Sequence, residues 1–421
     1  MFLGVVVGIL ILSVMVFVHE FAHLIIAKLA SMNAPIFSIG LGPKLFSFLR
    51  WGETEFRVSL IPFGGYVEIK GMNPEEMKGE EDEFYSKNFF LKSAVAFSGP
   101  FANFVFGFLV FVSVIFFNGI EAPSTTAIKK VNKESNLLPG DKILKVDEKE
   151  VKNWYELTEK LRKNSKVFLV RESKEIEVSV DSLILDSLEP FVPPCVGNVL
   201  SGFPAEKAGI KEGDWILRIQ DREINSWEDI TEVIHPAFGE TLNIVFLRKE
   251  DTLKASVVPE PQKTIEGDSI VNIGVIGIES STDRVNVPFY KAFIFGWRQT
   301  YNTALWGCRT ISFLFKKKIS PKEVSGPLGI VIITKKTIDR GFVRLLMLVG
   351  VITINLAIIN LIPIPPLDGF HIAMSLVTFN SKKPPSKKIL KIIQGIGTFI
   401  LVALMILILF NDIIKFIQRQ F

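Results

Sequence analysis

The residues best suited to chemistry lie near the start of the chain, in the sequence His19-Glu20-Phe21-Ala22-His23. On a helix, residues four apart are only about 40° out of register, so both imidazoles project from one face. Two neutral imidazoles on one face can chelate a zinc ion. Glu20 lies beside them, where a carboxylate can act as a base toward water without ligating the metal. The spacing therefore predicts a hydrolytic zinc site.

This motif ends an unbroken apolar run from Phe2 to Val18. Ionisable side chains are costly inside a bilayer, so a cluster of three at the end of such a run indicates function. The run has the apolar character of a signal peptide, but no Lys or Arg precedes it, no small-residue cleavage site follows it, and apolar residues resume at Leu24. We expect a retained spanning helix.

Composition indicates a protein that is part membrane and part soluble. Of 421 residues, 48% are hydrophobic and 22% charged, and the mean hydropathy is +0.35. The net charge of +4 comes from 48 basic and 44 acidic residues, with no basic block interleaved with aromatics, so no nucleic acid partner is expected. The two cysteines, Cys195 and Cys308, exclude a disulfide framework and a cysteine-based zinc site.

Four segments have the length and apolarity of spanning helices: Phe2 to Ala30, Ser93 to Asn118, Phe342 to Ile362 and Gly395 to Ile414. An even number of spans places both chain ends on one side. The connection between the last two spans is rich in lysine: Lys382, Lys383, Lys387, Lys388 and Lys391. Positive flanks favour the cytoplasm, so we predict both ends outside and the loop from Lys28 to Lys92 inside.

Two other segments belong near the membrane. Phe289 to Phe315 mixes cations with large aromatics, which favours a helix lying in the interface over one crossing the bilayer. The loop after the first span is predicted to hold four short strands, with Pro62-Phe63-Gly64-Gly65 as a hairpin turn. Its edge at Phe56 to Ile61 is the predicted partner of an unwound substrate strand, because lone backbone groups are costly in lipid.

An internal repeat lies between the second and third spans. Pro139-Gly140-Asp141-Lys142-Ile143-Leu144 returns 73 residues later as Glu212-Gly213-Asp214-Trp215-Ile216-Leu217, and Trp154 returns as Trp227. Two copies of one small domain follow. The second copy opens with Gly202-Phe203-Pro204-Ala205-Glu206-Lys207-Ala208-Gly209, a stretch that resembles bacterial PDZ domains and that the first copy lacks. PDZ domains bind extended peptide ends at a sheet edge.

A catalytic zinc site takes a third protein ligand, and the candidate is Asp368, just past the third span. Taken alone, a Pro-x-x-Asp-Gly sequence indicates a turn, and only the membrane-embedded H-E-x-x-H motif favours a ligand. The first and third helices both run from outside to inside, so the three ligands can meet in the cytoplasmic third of the bilayer. His371, three residues further, is open as a supporting group or a spare ligand.

Several motifs together resemble the site-2 protease family, and within it the regulator-of-sigma-E protease group with two PDZ domains. They are His19-Glu20-x-x-His23, Gly99-Pro100-x-x-Asn103, Asn360-x-x-Pro363-x-Pro365-x-Leu367-Asp368-Gly369 and the two PDZ-like copies. The resemblance covers nearly the whole chain. It implies an α-helical membrane protein with four transmembrane helices, a membrane-associated β-hairpin and two inserted α+β PDZ domains.

The resemblance also implies roles for residues. The protein would be a zinc metalloendopeptidase with His19, His23 and Asp368 as Zn²⁺ ligands and Glu20 as the base. Asn360, and Gly64 and Gly65 of a membrane re-entrant hairpin, would bind substrate. The implied domains are 1–31 and 93–118 (first two spans), 32–92 (cytoplasmic loop), 122–186 and 192–262 (PDZ domains), 285–320 (interfacial helix), and 341–369 and 394–415 (last two spans).

The implied substrate is the transmembrane segment of a single-pass membrane protein, of anti-sigma factor type, that an upstream site-1 protease has already trimmed. Leftover signal peptides are a further implied substrate. The implied location is the bacterial inner membrane, with the PDZ domains outside, bound to peptide tails, and the active site near the cytoplasmic face. Two alternatives stay open: a membrane-anchored PDZ adaptor without catalysis, and chance polar packing within a transporter.

Overall fold

The structure is a computed structural model that describes residues 2–73, 75–131, 136–180, 188–266, 269–318, 326–338, 341–379 and 386–418. Lys382 and Lys383 of the lysine-rich connection lie outside these residues. The chain divides into two compact units. The first, the helical unit, comprises Met1–Phe117 and Pro288–Phe421, and the second, the strand-rich unit, is Asn118–Val287.

The helices, in chain order, are α1 (Phe2–Leu29), α2 (Phe89–Asn118), α3 (Trp154–Lys160), α4 (Pro204–Lys207), α5 (Trp227–Ile234), α6 (Phe289–Phe315), α7 (Pro327–Ile338), α8 (Phe342–Asn360), α9 (Asp368–Val377) and α10 (Lys387–Gln418). The strands of the helical unit are β1 (Ile36–Trp51) and β2 (Thr54–Glu68). Those of the strand-rich unit are β3 (Ile120–Pro123), β4 (Ile128–Lys130), β5 (Lys142–Val146), β6 (Lys149–Glu150), β7 (Lys166–Arg171), β8 (Lys174–Ser179), β9 (Glu189–Pro190), β10 (Val196–Val199), β11 (Trp215–Ile219), β12 (Arg222–Glu223), β13 (Leu242–Arg248), β14 (Asp251–Val257), β15 (Glu260–Glu266), β16 (Ser269–Val275), β17 (Ile278–Ser280) and β18 (Thr282–Val285).

The four predicted spans are confirmed as helices. Among the described residues, four helical segments are long and apolar enough to cross a membrane: Val6–Leu29, Phe89–Asn118, Phe342–Asn360 and Lys387–Ile414. They match the predicted segments to within a few residues at most ends. The last helix begins earlier than predicted because its lysine-rich first turns are helical as well. Unbroken apolar stretches of this length are what a bilayer requires.

The predicted helix from Phe289 to Phe315 is confirmed as α6. Its aromatic rings pack edge-on against α2, with Phe289 against Phe116 and Phe293 against Phe108. Trp297 extends these contacts to Phe104, about 18 Å along α2 from Phe116 at the usual helical rise. Helix α6 therefore follows the C-terminal half of α2, and its placement relative to the lipid stays a prediction.

Strands β1 and β2 differ from the predicted hairpin. The tight turn lies at Gly52 and Glu53, whereas the predicted turn at 62–65 falls within β2. That prediction is wrong because a glycine in the left-handed region, Gly64 with φ of 94°, can bend an extended chain without ending its strand.

The predicted free edge at Phe56 to Ile61 is also wrong for its first three residues. Phe56–Val58 has partners on both sides, Phe37–Ile39 on one and Phe46–Leu49 on the other. Gly65–Glu68 pairs only with Ile36–Ile39 among the described residues, so it forms an edge of this sheet. The unpaired backbone groups therefore lie on a different segment of the same strand.

In the strand-rich unit the sequence repeat is also a structural repeat. The sheet orders are β6-β5-β7-β8 and β12-β11-β13-β14, with α3 and α5 at the same point of each copy. Each copy has its own apolar core. Strand β3 pairs with β18, so the two ends of the unit lie together.

The Asp of each repeated Gly-Asp turn is fully buried and paired. Asp141 accepts hydrogen bonds from Arg171 Nε and Nη2 at 2.8 and 2.7 Å, and Asp214 accepts two from Arg248 at 2.8 Å. A backbone N–H donates to the same carboxylate, from Leu138 in the first copy at 2.7 Å. These two-pronged pairs fix the turn to the neighbouring strand of its sheet, β7 in the first copy and β13 in the second.

Candidate metal centre

Helix α1 continues without a break through the H-E-x-x-H motif, and it turns both imidazoles to one side as predicted. Nε2 of His19 lies 3.0 Å from Asp368 Oδ2, and Nε2 of His23 lies 3.3 Å from Asp368 Oδ1. The ligand atoms of the three side chains all lie within 4.8 Å of one another. Both histidines are buried. The three side chains singled out from sequence are thus brought together.

A sharp turn delivers Asp368 to this point. Helix α8 ends at Asn360, the chain turns through a proline-rich segment, and α9 begins at Asp368. The turn needs a glycine next, since a Cβ on Gly369 would lie 2.2 Å from the carbonyl oxygen of Leu361. The Pro-x-x-Asp-Gly sequence is therefore a turn and a source of a candidate ligand at once.

Helix α2 supplies the wall behind the histidines. The carbonyl of Val95 accepts a hydrogen bond from His23 Nδ1 at 2.7 Å, which leaves His23 Nε2 with a lone pair for a metal. A Cβ on Gly99 would lie 2.3 Å from His23 Nε2 and 2.7 Å from His19 Nε2. Any larger residue at this position would enter the space of the ligand atoms. From sequence, Gly99 stands out only as part of the Gly99-Pro100-x-x-Asn103 motif. A Gly-Pro pair inside an apolar helix is the available signal that another element packs closely there.

The residues present fit a zinc ion. Asp368 Oδ2 is buried, and its one close polar neighbour among the described residues is Nε2 of His19 at 3.0 Å, a nitrogen that donates only when it carries a hydrogen. A buried carboxylate oxygen without a donor is costly, and a cation would satisfy it. Two imidazole nitrogens and one carboxylate oxygen form the three-ligand set of catalytic zinc sites. Each oxygen of this carboxylate faces one imidazole nitrogen, so all three side chains point toward one common space.

Glu20 lies beside the ligands and is held by the sheet. Its Oε2 accepts a hydrogen bond from the backbone N–H of Val67 at 3.0 Å. Gly65 lies close by, since a Cβ there would be 3.8 Å from Glu20 Cγ and 2.7 Å from the carbonyl oxygen of Ser38. The free edge of β2 therefore passes directly beside the candidate base, with Gly64 and Gly65 at its start.

The remaining two candidates take different positions. Nδ2 of Asn360 lies 3.1 Å from His19 Nε2, so Asn360 belongs to the centre itself. His371 is buried with its Nδ1 3.1 Å from Tyr85 Oη, and it is not a member of the ligand group among the described residues. The spare-ligand interpretation of His371 is therefore not supported. Its contact fastens α9 to the segment before α2, and the hydrogen bond from Lys92 to Thr378 joins α2 itself to the residue that follows α9.

Comparisons with known proteins cover nearly the whole chain. A model described as peptidase family M50 matches residues 7–404. Zinc metalloprotease RasP of Oceanobacillus iheyensis is 28% identical over 99% of both chains. Regulator of sigma-E protease RseP of Escherichia coli is 28% identical over 95% of this chain and 96% of its own. Among solved structures, the PDZ domain of an SdrC-like protein from Listeria monocytogenes aligns with 20% of this chain and 84% of its own, at 22% identity and a TM-score of 0.17, which carries no argument about fold.

Proposed function

The chain belongs to peptidase family M50, and on that premise we propose that it is an intramembrane zinc metalloprotease whose ion is held by His19, His23 and Asp368. The observation that carries the proposal is the meeting of two side chains within the membrane-length helix α1 and one that follows the membrane-length helix α8 by a short turn. An adaptor has no use for a base beside a metal ligand set, so the position of Glu20 argues against that alternative.

The ion, when bound, polarises the scissile carbonyl and makes water more acidic. Glu20 takes the proton of the attacking water and returns it to the leaving amine. The Val67 N–H occupies Oε2 of Glu20 and orients the carboxylate, so Oε1 is the oxygen that exchanges the proton. His19 and His23 would hold the ion through their Nε2 atoms and Asp368 through a carboxylate oxygen.

A transmembrane substrate must unwind, because a helix holds its carbonyls in its own hydrogen-bond ladder. The edge at Gly65–Glu68 is the proposed partner of the unwound strand, in place of the segment predicted from sequence. Gly64 and Gly65 carry no side chains that would obstruct a strand there. Asn360 holds the substrate backbone next to His19.

We further propose that the substrate is a single-pass membrane protein of anti-sigma factor type, already trimmed by an upstream site-1 protease, with leftover signal peptides as a second class. The names of relatives such as regulator of sigma-E protease support a substrate of anti-sigma factor type. The repeated domains are proposed to be PDZ domains that bind peptide tails on the outer side of a bacterial inner membrane. The proposed position of the site near the cytoplasmic face is supported by the positive residues Lys387, Lys388 and Lys391.

The test is cleavage of a tagged single-pass substrate, lacking its outer domain, in proteoliposomes that hold wild type, Glu20→Gln or Glu53→Gln. Glu53 lies in the turn between β1 and β2 and serves as the matched control. We expect wild type and Glu53→Gln to cut within the transmembrane segment, and Glu20→Gln to be slower by about 10²–10⁴-fold with its zinc retained. Equal cleavage by Glu20→Gln would overturn the protease proposal.

A further inference from the structure

We propose that Asn103 is a positioning residue for His19. Its side-chain oxygen accepts a hydrogen bond from His19 Nδ1–H and so presents the lone pair of Nε2 to the metal. This inference rests on the proposed function, because it concerns how one ligand of the same centre is oriented. Asn103 is fully buried on α2, and its side-chain amide lies 3.1 Å from His19 Nδ1.

Two side-chain amides flank the imidazole of His19, one at each ring nitrogen. Nδ2 of Asn103 lies 3.1 Å from Nδ1 of the ring, and Nδ2 of Asn360 lies 3.1 Å from Nε2. An amide NH₂ group can only donate, and a neutral imidazole has only one accepting nitrogen. The two amides therefore cannot both donate to the ring, and one of them must present its oxygen.

Asn103 is the residue whose amide presents its oxygen to the ring. Oδ1 of Asn103 is buried and has no hydrogen-bond partner among the described residues. Leaving such an oxygen without a donor costs about 1–3 kcal/mol. A half-turn of the carboxamide exchanges oxygen and nitrogen without moving the ring, and Oδ1 then accepts from Nδ1–H. Nε2 is left as the accepting nitrogen, which is the form that a metal binds.

His23 has a matching hydrogen bond from its own Nδ1 to an oxygen of α2. There Nδ1 lies 2.7 Å from the carbonyl oxygen of Val95, which accepts its hydrogen. Val95, Gly99 and Asn103 follow at four-residue spacing, so they share one face of α2. This face thus provides one oxygen acceptor for each histidine, with Gly99 leaving room between them. Metal-bound histidines commonly donate their second ring N–H to such an oxygen.

The test compares Asn103→Leu, which has no acceptor, with Asn103→Asp, which has an oxygen in either orientation. Thr353→Val is the matched control, because Thr353 is fully buried on α8 and bonds only the Val349 carbonyl of its own helix. Zinc affinity of the purified full chain is measured by chelator competition. The tautomer of His19 is read from ¹⁵N NMR spectra of protein labelled on its 4 histidines, with His19 assigned by substitution.

We expect Asn103→Leu to bind zinc about 10–100-fold more weakly, and Asn103→Asp to stay within a few-fold of wild type. Thr353→Val should match wild type, and zinc-loaded wild type should show the hydrogen on His19 Nδ1. Wild-type affinity in Asn103→Leu, or equal losses in the Leu and Asp variants, would overturn the inference. If Asn103→Leu does not fold, the Asp variant and the wild-type tautomer decide. A wild type that binds no zinc would instead refute the proposed function, before any variant is compared.

Discussion

The two units of this molecule bury carboxylates in different ways. In the repeated domains, Asp141 and Asp214 each receive two hydrogen bonds from an arginine and one from a backbone N–H. In the helical unit, the Asp368 carboxylate has no arginine or backbone donor among the described residues, and its two oxygens each face one imidazole nitrogen. A carboxylate with all its donors in place fastens a fold, whereas one left short of donors can receive a cation.

The contrast predicts that substitutions will separate stability from metal binding. The arginine that balances each buried Asp in the repeats is part of the chain, so removing the carboxylate should affect folding. The positive charge that balances Asp368 would come from a bound ion, so removing this carboxylate should affect metal content. The following changes test that separation.

The largest effect is expected for Asp368→Asn. An amide is a poor metal ligand, so we expect zinc affinity to fall by more than about 100-fold and cleavage of a transmembrane substrate to be lost. Zinc content after dialysis and cleavage in proteoliposomes are the measurements. Thermal unfolding of the strand-rich unit should not change. Full zinc content in this variant would remove Asp368 from the ligand set.

Gly99→Ala should come next, because the added methyl group would lie 2.3 Å from His23 Nε2. We expect about a 10–100-fold loss of zinc affinity as the imidazoles are displaced. Gly395→Ala is the control, since a Cβ at this helical position meets no described atom within 4 Å. Equal zinc affinities for the two variants, measured by chelator competition, would show that Gly99 leaves room for packing alone.

Sequence reasoning reached the ligands and the base because their spacing has a direct geometric meaning on a helix. The long apolar segments likewise defined the spanning helices, and the repeat defined two copies of one domain. It missed the edge strand, because Phe56–Val58 and Gly65–Glu68 both mix apolar and charged residues in an extended chain, and only their pairing distinguishes them. It also missed the roles of Val95 and Gly99, since contacts between α1 and α2 have no local sequence signal.

A smaller effect is expected for Asp214→Asn, which leaves the Arg248 guanidinium without its carboxylate. Because Arg248 is partly exposed, water compensates for some of the loss, and we expect the second repeat to be destabilised by about 2 kcal/mol. Glu232→Gln breaks the exposed pair with Arg222 and should have a much smaller effect on stability, because water screens both charges. Denaturant unfolding followed by Trp fluorescence measures both. Zinc binding should be unchanged, and its loss in Asp214→Asn would argue against the separation.

The smallest effect concerns Asp229 in the capping box of α5. Burial raises the pKa of Asp229, and hydrogen bonds from the backbone N–H groups of Asn225 and Ser226 lower it. The lowering is the larger effect, so the pKa of Asp229 lies below its ordinary value. The carboxylate therefore adds stability at neutral pH that is lost as the pH falls through its folded-state pKa, which lies below that of a free Asp. Asp229→Asn should cost about 1 kcal/mol at pH 7 and less in acid. An equal cost at pH 7 and pH 3 would contradict this.

The central claim is that two imidazoles and one carboxylate in the helical unit bind zinc, and zinc-edge X-ray absorption on the purified Glu20→Gln protein tests it most directly. This variant keeps the ligands and does not consume substrate. We predict one zinc per chain, bound by two imidazole nitrogens and by oxygen ligands. In a His23→Ala, Glu20→Gln double variant, the spectrum should show the loss of one imidazole. A protein without zinc, a sulfur ligand, or an unchanged spectrum in the double variant would contradict the account.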